Sequence, residues 1–410
     1  MKVLHISEKA DGGGAESVFR ETVLLLKDLD TTRSHYVASK PTPGMDFTVD
    51  YPFTSKPGNL LDLIYSTENK RQLDRYLAEL NPDLIHLHHY ANLSPSVLSS
   101  LHSFRKKRPD VRIIQTVHTF EYLCSHHAGF DYKKSMRCLD CGKQRFKLKI
   151  FYRNCSRLGF IHSIGKGINS LIAHYYYGKK VIDQLIAPSE FMKNTIAENN
   201  RFAAERISII ENPVAKSFLS GIAEVAKKDQ LIYFGRLSDE KDIELLIRAY
   251  ADYVGKSQCP YKLLIIGDGP EKDALVELTS RLGVRHLITF MPFLQHSALK
   301  AHLCDSKISI LPSKCFENAP MMVIESLAFD ILPIVSGHGG MKEMVSKFHF
   351  GLTFKSDSFS SLSDMISYAI DHYPALIADT KESRLKAGRL LSGERYLANL
   401  DQVYKSVQEV

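Results

Sequence analysis

Short apolar runs alternate with amphipathic helical stretches along almost the whole chain, and this alternation constrains the fold more than any other feature. A strand buried on both faces reads as a continuous apolar run, and parallel strands need a crossover between them, usually a helix. The pattern therefore predicts an α/β fold with parallel sheets and helices on both faces. Val3 to Ile6 open the first series, followed by a glycine loop at 12–14 and a helix over about 15–29. Val18, Phe19, Val23, Leu25, Leu26 and Leu29 fall on the inner side of that helix. Further strands are expected at Tyr36–Ser39, Asp83–His88, Arg112–Val117 and Gln184–Pro188. A second series begins at Leu231–Gly235 and continues through Lys262–Gly267, Leu287–Phe290, Ile308–Pro312, Ile331–Val335 and Gly351–Phe354. Between the two, Glu211-Asn-Pro-Val214 and a polar stretch at 220–229 mark a hinge. The expected organisation is one doubly wound domain over 1–187, a second over 188–393 facing it across a cleft, and a last helix over 394–410.

At 410 residues the chain is too long for one ordinary core, which agrees with two domains. Its first residues run straight into a strand, without the apolar region of a signal peptide. No apolar run is long enough to span a bilayer. Seven cysteines, an odd number, point to a reducing compartment, so the expected location is cytoplasmic. The formal charge of +7 is unevenly spread. Residues 133–157 hold Lys133, Lys134, Arg137, Lys143, Arg145, Lys147, Lys149, Arg153 and Arg157 against Asp140 alone, leaving the rest of the chain near neutral. Such a segment, inside an insertion at about 120–160, reads either as a solvated surface or as a dock for an anionic membrane or a phosphate-bearing acceptor.

The densest chemistry lies in Glu317-Asn-Ala-Pro-Met-Met-Val-Ile-Glu325. Ile308–Ser313 reads as a buried strand entering this loop, and Met321, Met322, Ile324 and Leu327 as the buried stripe of the helix that leaves it. Pro320 suits the first helical turn. Glu317 thus falls beyond a strand's carboxyl end, beside helix amides that attract anions, with Glu325 about two turns further on. That arrangement suits a phosphate flanked by hydroxyl-rich groups, as in a nucleotide sugar. Gly12-Gly-Gly-Ala-Glu-Ser17 also stands between strand and helix, where glycines let the backbone approach a diphosphate. Ser17 and Lys272 occupy the third-glycine positions of the two G-x-G loops, which disfavours a dinucleotide oxidoreductase. Arg236 and Lys241 follow the first strand of the second series and can neutralise a pyrophosphate leaving group.

Arg236, Lys241 and the E-x7-E pair Glu317 and Glu325 resemble the retaining GT-B glycosyltransferases of family four. Gly13-Gly-Ala-Glu16, Thr116-Val-His118, Pro188-Ser189, Asn212-Pro-Val214, Gly267-Asp-Gly-Pro270 and Gly339-Gly-Met-Lys-Glu343 extend the resemblance over nearly the whole chain, in the expected order. It implies two Rossmann-like domains, a last helix returning to the first domain, and metal-independent transfer of a sugar with retained configuration. By the same resemblance Arg236 and Lys241 hold the diphosphate, Glu317 meets the donor sugar and Glu325 the ribose. The backbone from Asn318 through Ala319 and Pro320 to Met321 and the glycines Gly13 and Gly14 belong to the phosphate site. His118 sits near the donor sugar and the acceptor hydroxyl, and Glu16 serves the acceptor side or anchors the glycine loop. The implied donor is a UDP-sugar, with a GDP-sugar as the alternative. The implied acceptor is a glycan or a lipid-pyrophosphate-linked saccharide in polysaccharide, lipopolysaccharide or glycolipid synthesis, worked on at the cytosolic face of a membrane.

The chain departs from the family pattern at two places. Asp242 follows Lys241 where glycine is common, and Asn-Ala-Pro follows Glu317 where Gly-Phe-Gly is common, which bears on the choice of donor sugar. Asp28-Leu-Asp30 has the D-x-D form of metal-dependent transferases but falls at a helix terminus. His86, His88 and His89 read as packed or cleft-edge side chains. Cys124, Cys138, Cys141 and Cys155 have the spacing of a four-thiolate structural zinc site, and free thiols are the alternative. No nucleic-acid partner is expected, since the basic region lacks a readout helix or aromatic platform. The competing readings are a GT-B nucleotide-sugar epimerase and a non-catalytic sugar-nucleotide-binding module.

Overall fold

The computed structural model describes residues 1–410 except 55–59, 144–147, 200, 215–225, 380 and 410. The chain divides into two compact units, Met1–Glu211 with Tyr396–Val410, and Asn212–Arg395. In the first, β1 (Lys2–Lys9), β2 (Ser34–Lys40), β3 (Tyr51–Pro52), β4 (Leu84–Leu87) and β5 (Arg112–Thr116) are followed by an antiparallel hairpin, β6 (Phe130–Asp131) and β7 (Met136–Arg137). β8 (Gln184–Ala187) and β9 (Ile207–Ile209) complete a seven-stranded sheet in the order β3-β2-β1-β4-β5-β8-β9, with every pairing parallel.

The second unit holds β10 (Gln230–Phe234), β11 (Lys262–Ile266), β12 (Ile288–Met291), β13 (Ile308–Leu311), β14 (Leu332–Ser336) and β15 (Leu352–Phe354). They form a parallel sheet ordered β12-β11-β10-β13-β14-β15. Both orders are of the doubly wound Rossmann type, reversing direction between the first and fourth strands, and ligands bind outside the carboxyl ends of the strands at such a reversal. The reversals lie between β1 and β4 and between β10 and β13.

The expected domain limit at 187/188 falls inside the first unit. β9 pairs with β8, Leu185 opposite Ile207, and the intervening helix Glu190–Glu198 is capped by Ser189, whose Oγ accepts the Met192 amide at 3.2 Å. Of the expected hinge, 220–225 lies outside the described residues, as do Arg145 and Lys147 of the basic segment. The helix Gly14–Leu29 buries Val18, Phe19, Val23, Leu25 and Leu26, but Leu29, expected inside, is 50% exposed at its last position. Asp30 caps that helix end. Its carboxylate accepts from the Thr32 amide at 2.9 Å, Arg33 Nη1 at 2.9 Å and His35 Nε2 at 3.1 Å, as a helix terminus rather than a metal motif.

The last helix, Gly393–Ser406, lies largely in the first unit. Tyr396, Leu400, Val403, Tyr404 and Val407 are buried against Val3, Leu25, Leu26, Leu84, Ile114, Ile186 and Ile210. Tyr404 Oη lies 2.9 Å from His86 Nδ1 and Tyr396 Oη 2.8 Å from Thr22 Oγ1, so both buried hydroxyls are satisfied. Among the described residues no helix is long and apolar enough to cross a membrane.

Candidate active site

In the second unit the two loops at the reversal are stitched together by backbone. After β10 the chain runs through Gly235 and the exposed Arg236, then turns over Asp239–Lys241. The amides of Lys314 and Cys315, from the loop after β13, donate to the Glu240 carbonyl at 3.0 and 3.2 Å. This brings Lys241 onto Glu317: Nζ donates to Oε1 in a short ion pair, with the side chains 25% and 14% exposed. Ser313 Oγ donates to the same oxygen at 2.8 Å, and the Cys315 thiol approaches it at 3.8 Å. Burial works against the Lys241 charge, but Glu317 outweighs it and holds the ammonium above lysine's usual range. Burial, reinforced by Glu317, pushes the Cys315 thiol up, so it stays a neutral donor.

The turn also accounts for the departure at 242. Asp242 has φ +54° and ψ +47°, the left-handed region that glycine enters freely and Asp enters at modest cost. Its carboxylate lies 3.3 Å from Lys314 Nζ, which is 3.2 Å from Asp239. Burial raises the Asp242 pKa to about 6 against the pull of Lys314.

The helix Met321–Ala328 follows, with Pro320 at its N-cap (φ −66°, ψ +124°) rather than within the first turn. The Pro320 carbonyl accepts the Val323 amide at 3.0 Å, while the amides of Met321 and Met322 precede any helical acceptor. Glu325 sits on this helix, 7% exposed. No side chain or amide meets its carboxylate among the described residues, and burial raises its pKa to about 8. A third loop supports the second: the Gly340 amide donates to the Glu317 carbonyl at 2.8 Å, and His338 Nε2 lies 3.0 Å from the Cys315 carbonyl. A Cβ on Gly340 would fall 1.8 Å from the Asn318 carbonyl oxygen. Gly267 has a similar structural role, since its Cβ would fall 1.8 Å from the Gly235 oxygen.

In the first unit the reversal carries Gly13 and Gly14, exposed at the start of the helix Gly14–Leu29. Glu16, in that helix's first turn, and Glu8 on β1 flank His89 at 3.8 and 3.6 Å. Burial disfavours the charged ring, but the two carboxylates outweigh it and keep the His89 pKa above its usual value. Glu8 is fixed in turn by the Asn92 amide at 3.0 Å and side chain at 2.5 Å. His118 follows β5, its Nε2 3.4 Å from His88 Nδ1 and its ring stacked on that of His88. Burial, then the charge on His89, lower its pKa to about 3, so His118 is neutral near pH 7. His86 and His88 are buried as packed rings, whereas His89 belongs to this charged group.

Lys241 and Glu317 are therefore in contact, and Arg236, Asn318 to Met321 and Glu325 lie on the same pair of loops and the following helix. Glu16 and His118 lie at the corresponding edge of the other unit. Ser313, Cys315, Glu8 and Asn92 were not singled out from the sequence. Ser313 and Cys315 carry no signal beyond their nearness to Glu317.

Residues 12–218 match the family model "Glycosyltransferase Family 4", and residues 219–385 match "Glycosyl transferases group 1". The chain belongs to glycosyltransferase family 4. Its fold is that of GT-B enzymes, two Rossmann-like doubly wound units. This family 4 member is 25% identical over 199 residues to a Campylobacter jejuni N-acetylgalactosamine-N,N'-diacetylbacillosaminyl-diphospho-undecaprenol 4-alpha-N-acetylgalactosaminyltransferase, covering 48% of this chain and 52% of that protein. It is 26% identical over 175 residues to an uncharacterized glycosyltransferase of Methanocaldococcus jannaschii, covering 40% of this chain and 44% of the other. The chain thus spans about half the length of the curated relatives it matches. The structure of Anabaena HepE in complex with UDP superposes with TM-score 0.68 at 16% identity, covering 100% of both chains. Sucrose-phosphate synthase from Thermosynechococcus elongatus superposes with TM-score 0.72 at 15% identity, covering 99% of both.

Proposed function

We propose that this protein transfers a sugar from a nucleotide-sugar donor to a hydroxyl, retaining the anomeric configuration and without a catalytic metal. The observation that carries this reading is the Lys241–Glu317 pair at the β10/β13 reversal, beside the first amides of the helix Met321–Ala328 and the buried carboxylate of Glu325, which has no partner among the described residues. Arg236, exposed and without a protein carboxylate partner among the described residues, joins Lys241 in taking up the charge that develops on the departing diphosphate. The amides at 318–319 and 321 hold phosphate, Pro320 shapes that turn, and Glu325 accepts hydrogen bonds from ribose hydroxyls. Glu317 meets the donor sugar where positive charge grows. On the first unit, neutral His118 and the ionised Glu16 act on the acceptor, and Gly13 and Gly14 belong to the phosphate contacts.

The donor is a UDP-sugar in this reading, supported by the UDP complex of a protein with the same fold. The acceptor is a glycan or lipid-pyrophosphate-linked saccharide, supported by the C. jejuni relative, whose name includes a diphospho-undecaprenol. Contact with an anionic membrane falls to the basic segment, where Lys133, Lys134 and Lys143 are exposed. Leu148, Tyr152, Leu158, Phe160 and Ile161 nearby are 48–72% exposed, the mixture that settles on anionic lipid.

The deciding experiment supplies UDP-, GDP- and ADP-sugars with and without lipid-linked saccharide. Transfer predicts that nucleotide is released only when acceptor is present, and that product keeps the donor's anomeric configuration. Interconversion of the sugar without acceptor would show an epimerase. Binding without turnover under any condition would show a non-catalytic module.

A further inference from the structure

The excursion between β5 and the helix Phe160–Gly178 has little regular structure among its described residues. It contains the two-residue strands β6 and β7 and a single helical turn, Ile150–Arg153. Backbone ladders of that length do not hold a segment in place. Four cysteines converge instead. Cys124, Cys138, Cys141 and Cys155 line one small cavity of about 10 Å³ with Phe130, Asp131, Lys149, Ile150 and Arg153. None of the four is in a disulfide; three are buried and Cys138 is partly so. A backbone group of each is also hydrogen-bonded. The Cys124 amide donates to Phe120 at 2.7 Å, the Cys138 amide to Gly129 at 2.8 Å, and the Tyr132 amide to the Cys155 carbonyl at 3.1 Å. The Cys141 carbonyl accepts from Arg201 Nη2 at 3.1 Å.

We propose that Cys124, Cys138, Cys141 and Cys155 bind one zinc ion as a structural tetrathiolate site that fastens residues 124–155 to the first unit. Four protein sulfurs fill the tetrahedral shell and leave no position for water or substrate, so the ion acts structurally. On binding, each thiol gives its proton to solvent, and four thiolates around Zn²⁺ leave two net negative charges.

That charge gives the concentrated basic side chains a partner. Arg153 Nη1 already lies 3.6 Å from Cys138 Sγ, and Lys149 lines the same cavity. Both are otherwise shared with Asp140, at 2.7 and 3.2 Å. Cations and N–H groups around ligating sulfur act as an outer shell that tunes metal affinity. The remaining exposed lysines are left for the surface role described above.

Metal entry must also contract the site. Zinc–sulfur bonds of about 2.3 Å bring ligand sulfurs to about 4 Å from one another. Among the described residues the potential ligand atoms that lie within 4.8 Å of one another are those of His5, His86 and His88, so the four sulfurs stand wider around their cavity. The histidines are committed elsewhere. His86 meets both Tyr404 and Thr116 hydroxyls, at 2.9 and 2.8 Å, and His5 meets His35 at 3.0 Å. The cysteines line a small cavity instead, and Cys138 and Cys141 have Cys-x2-Cys spacing.

The test is metal and thiol chemistry on the full chain, independent of any transferase assay. Protein purified without chelator should contain about one zinc per chain. Cobalt replacement should give thiolate-to-metal charge-transfer absorption, and Cys141→Ser should lose both. Arg153→Gln should keep the ion but release it to chelator with at least a ~10-fold change in apparent affinity. Should Cys141→Ser fail to fold, the wild-type chain still decides the matter. Only exposed Cys259 and partly buried Cys304 should react readily with a thiol reagent until zinc is removed. Folded, metal-free protein with no cobalt charge transfer, or disulfides within the quartet, would overturn the proposal.

Discussion

Glu325 shows how much one side chain can report. Its carboxyl is buried without a partner among the described residues, and its pKa is raised from 4.5 to about 8. An acid whose folded pKa is raised stabilises the fold while protonated. Its ionisation therefore removes stability as pH rises from about 4.5 towards about 8. Denaturation across that range should show a component that declines with pH, and Glu325→Gln should abolish it. Ribose hydroxyls would favour the ionised form, so donor binding near pH 7 should release a proton into the buffer, measurable by calorimetry in buffers of different ionisation enthalpy. At the ion pair, Lys241→Ala and Glu317→Ala should each remove at least ~100-fold of turnover, the scale of losing one preorganised charge, with circular dichroism unchanged. Turnover near the unmodified level in either would reject the assignment. Asp242 is a residue whose oddity the sequence displayed and only torsion explains. Asp242→Gly should be tolerated by the backbone, whereas Asp242→Val should cost about 1–2 kcal/mol in urea unfolding, the penalty of a Cβ-branched residue in that region.

At the scale of elements, the long strands were legible because strands covered on both faces cannot alternate and so appear as unbroken apolar runs. β10, Gln230–Phe234, and β13, Ile308–Leu311, are of this kind, and the reading placed both within a residue or two. β3, the β6–β7 hairpin and β9 were not legible, since pairings of two or three residues set no periodicity. Glu317, Lys241 and Glu325 were legible from motif and strand-end position. Ser313 and Cys315 were not, because their contact with Glu317 depends on how the loop doubles back. The same loop rests on Gly340, where geometry leaves no room for a methyl group. Gly340→Ala should displace residues 317–318, lowering thermal stability by an overpacking cost of about 1–3 kcal/mol and weakening UDP binding together. Loss of neither would mean the loop is not braced there.

For the whole molecule, the division into units is not a simple cut, since the first unit is made of residues 1–211 and 396–410. Alternation predicted two sheets, while the side taken by the last helix was open on periodicity alone and was implied only by the family resemblance. Packing decides it, through Tyr404 on His86, Tyr396 on Thr22, and Arg33 on Asp401 at 2.5 Å. A chain ended at residue 393 should therefore lose stability in the first unit while the second keeps its own unfolding transition and, on the proposed function, its binding of the nucleotide-sugar donor. A calorimetric scan resolves the two. The proposed membrane contact is also tested on the whole molecule. Binding to anionic vesicles should weaken as salt shortens the screening length from about 10 Å at 0.1 M, and binding indifferent to salt would reject the basic segment as the dock.

The returning helix also sets an order of events on the ribosome. A protein's amino-terminal domain ordinarily finishes first as it emerges. Here the apolar surface formed by Val3, Leu84, Ile114 and Ile186 stays uncovered until residues 396–407 have been synthesised, after the whole of the second unit. The unit begun first is the one completed last, and nascent chains stalled before residue 396 should hold a folded second unit above an unfinished first.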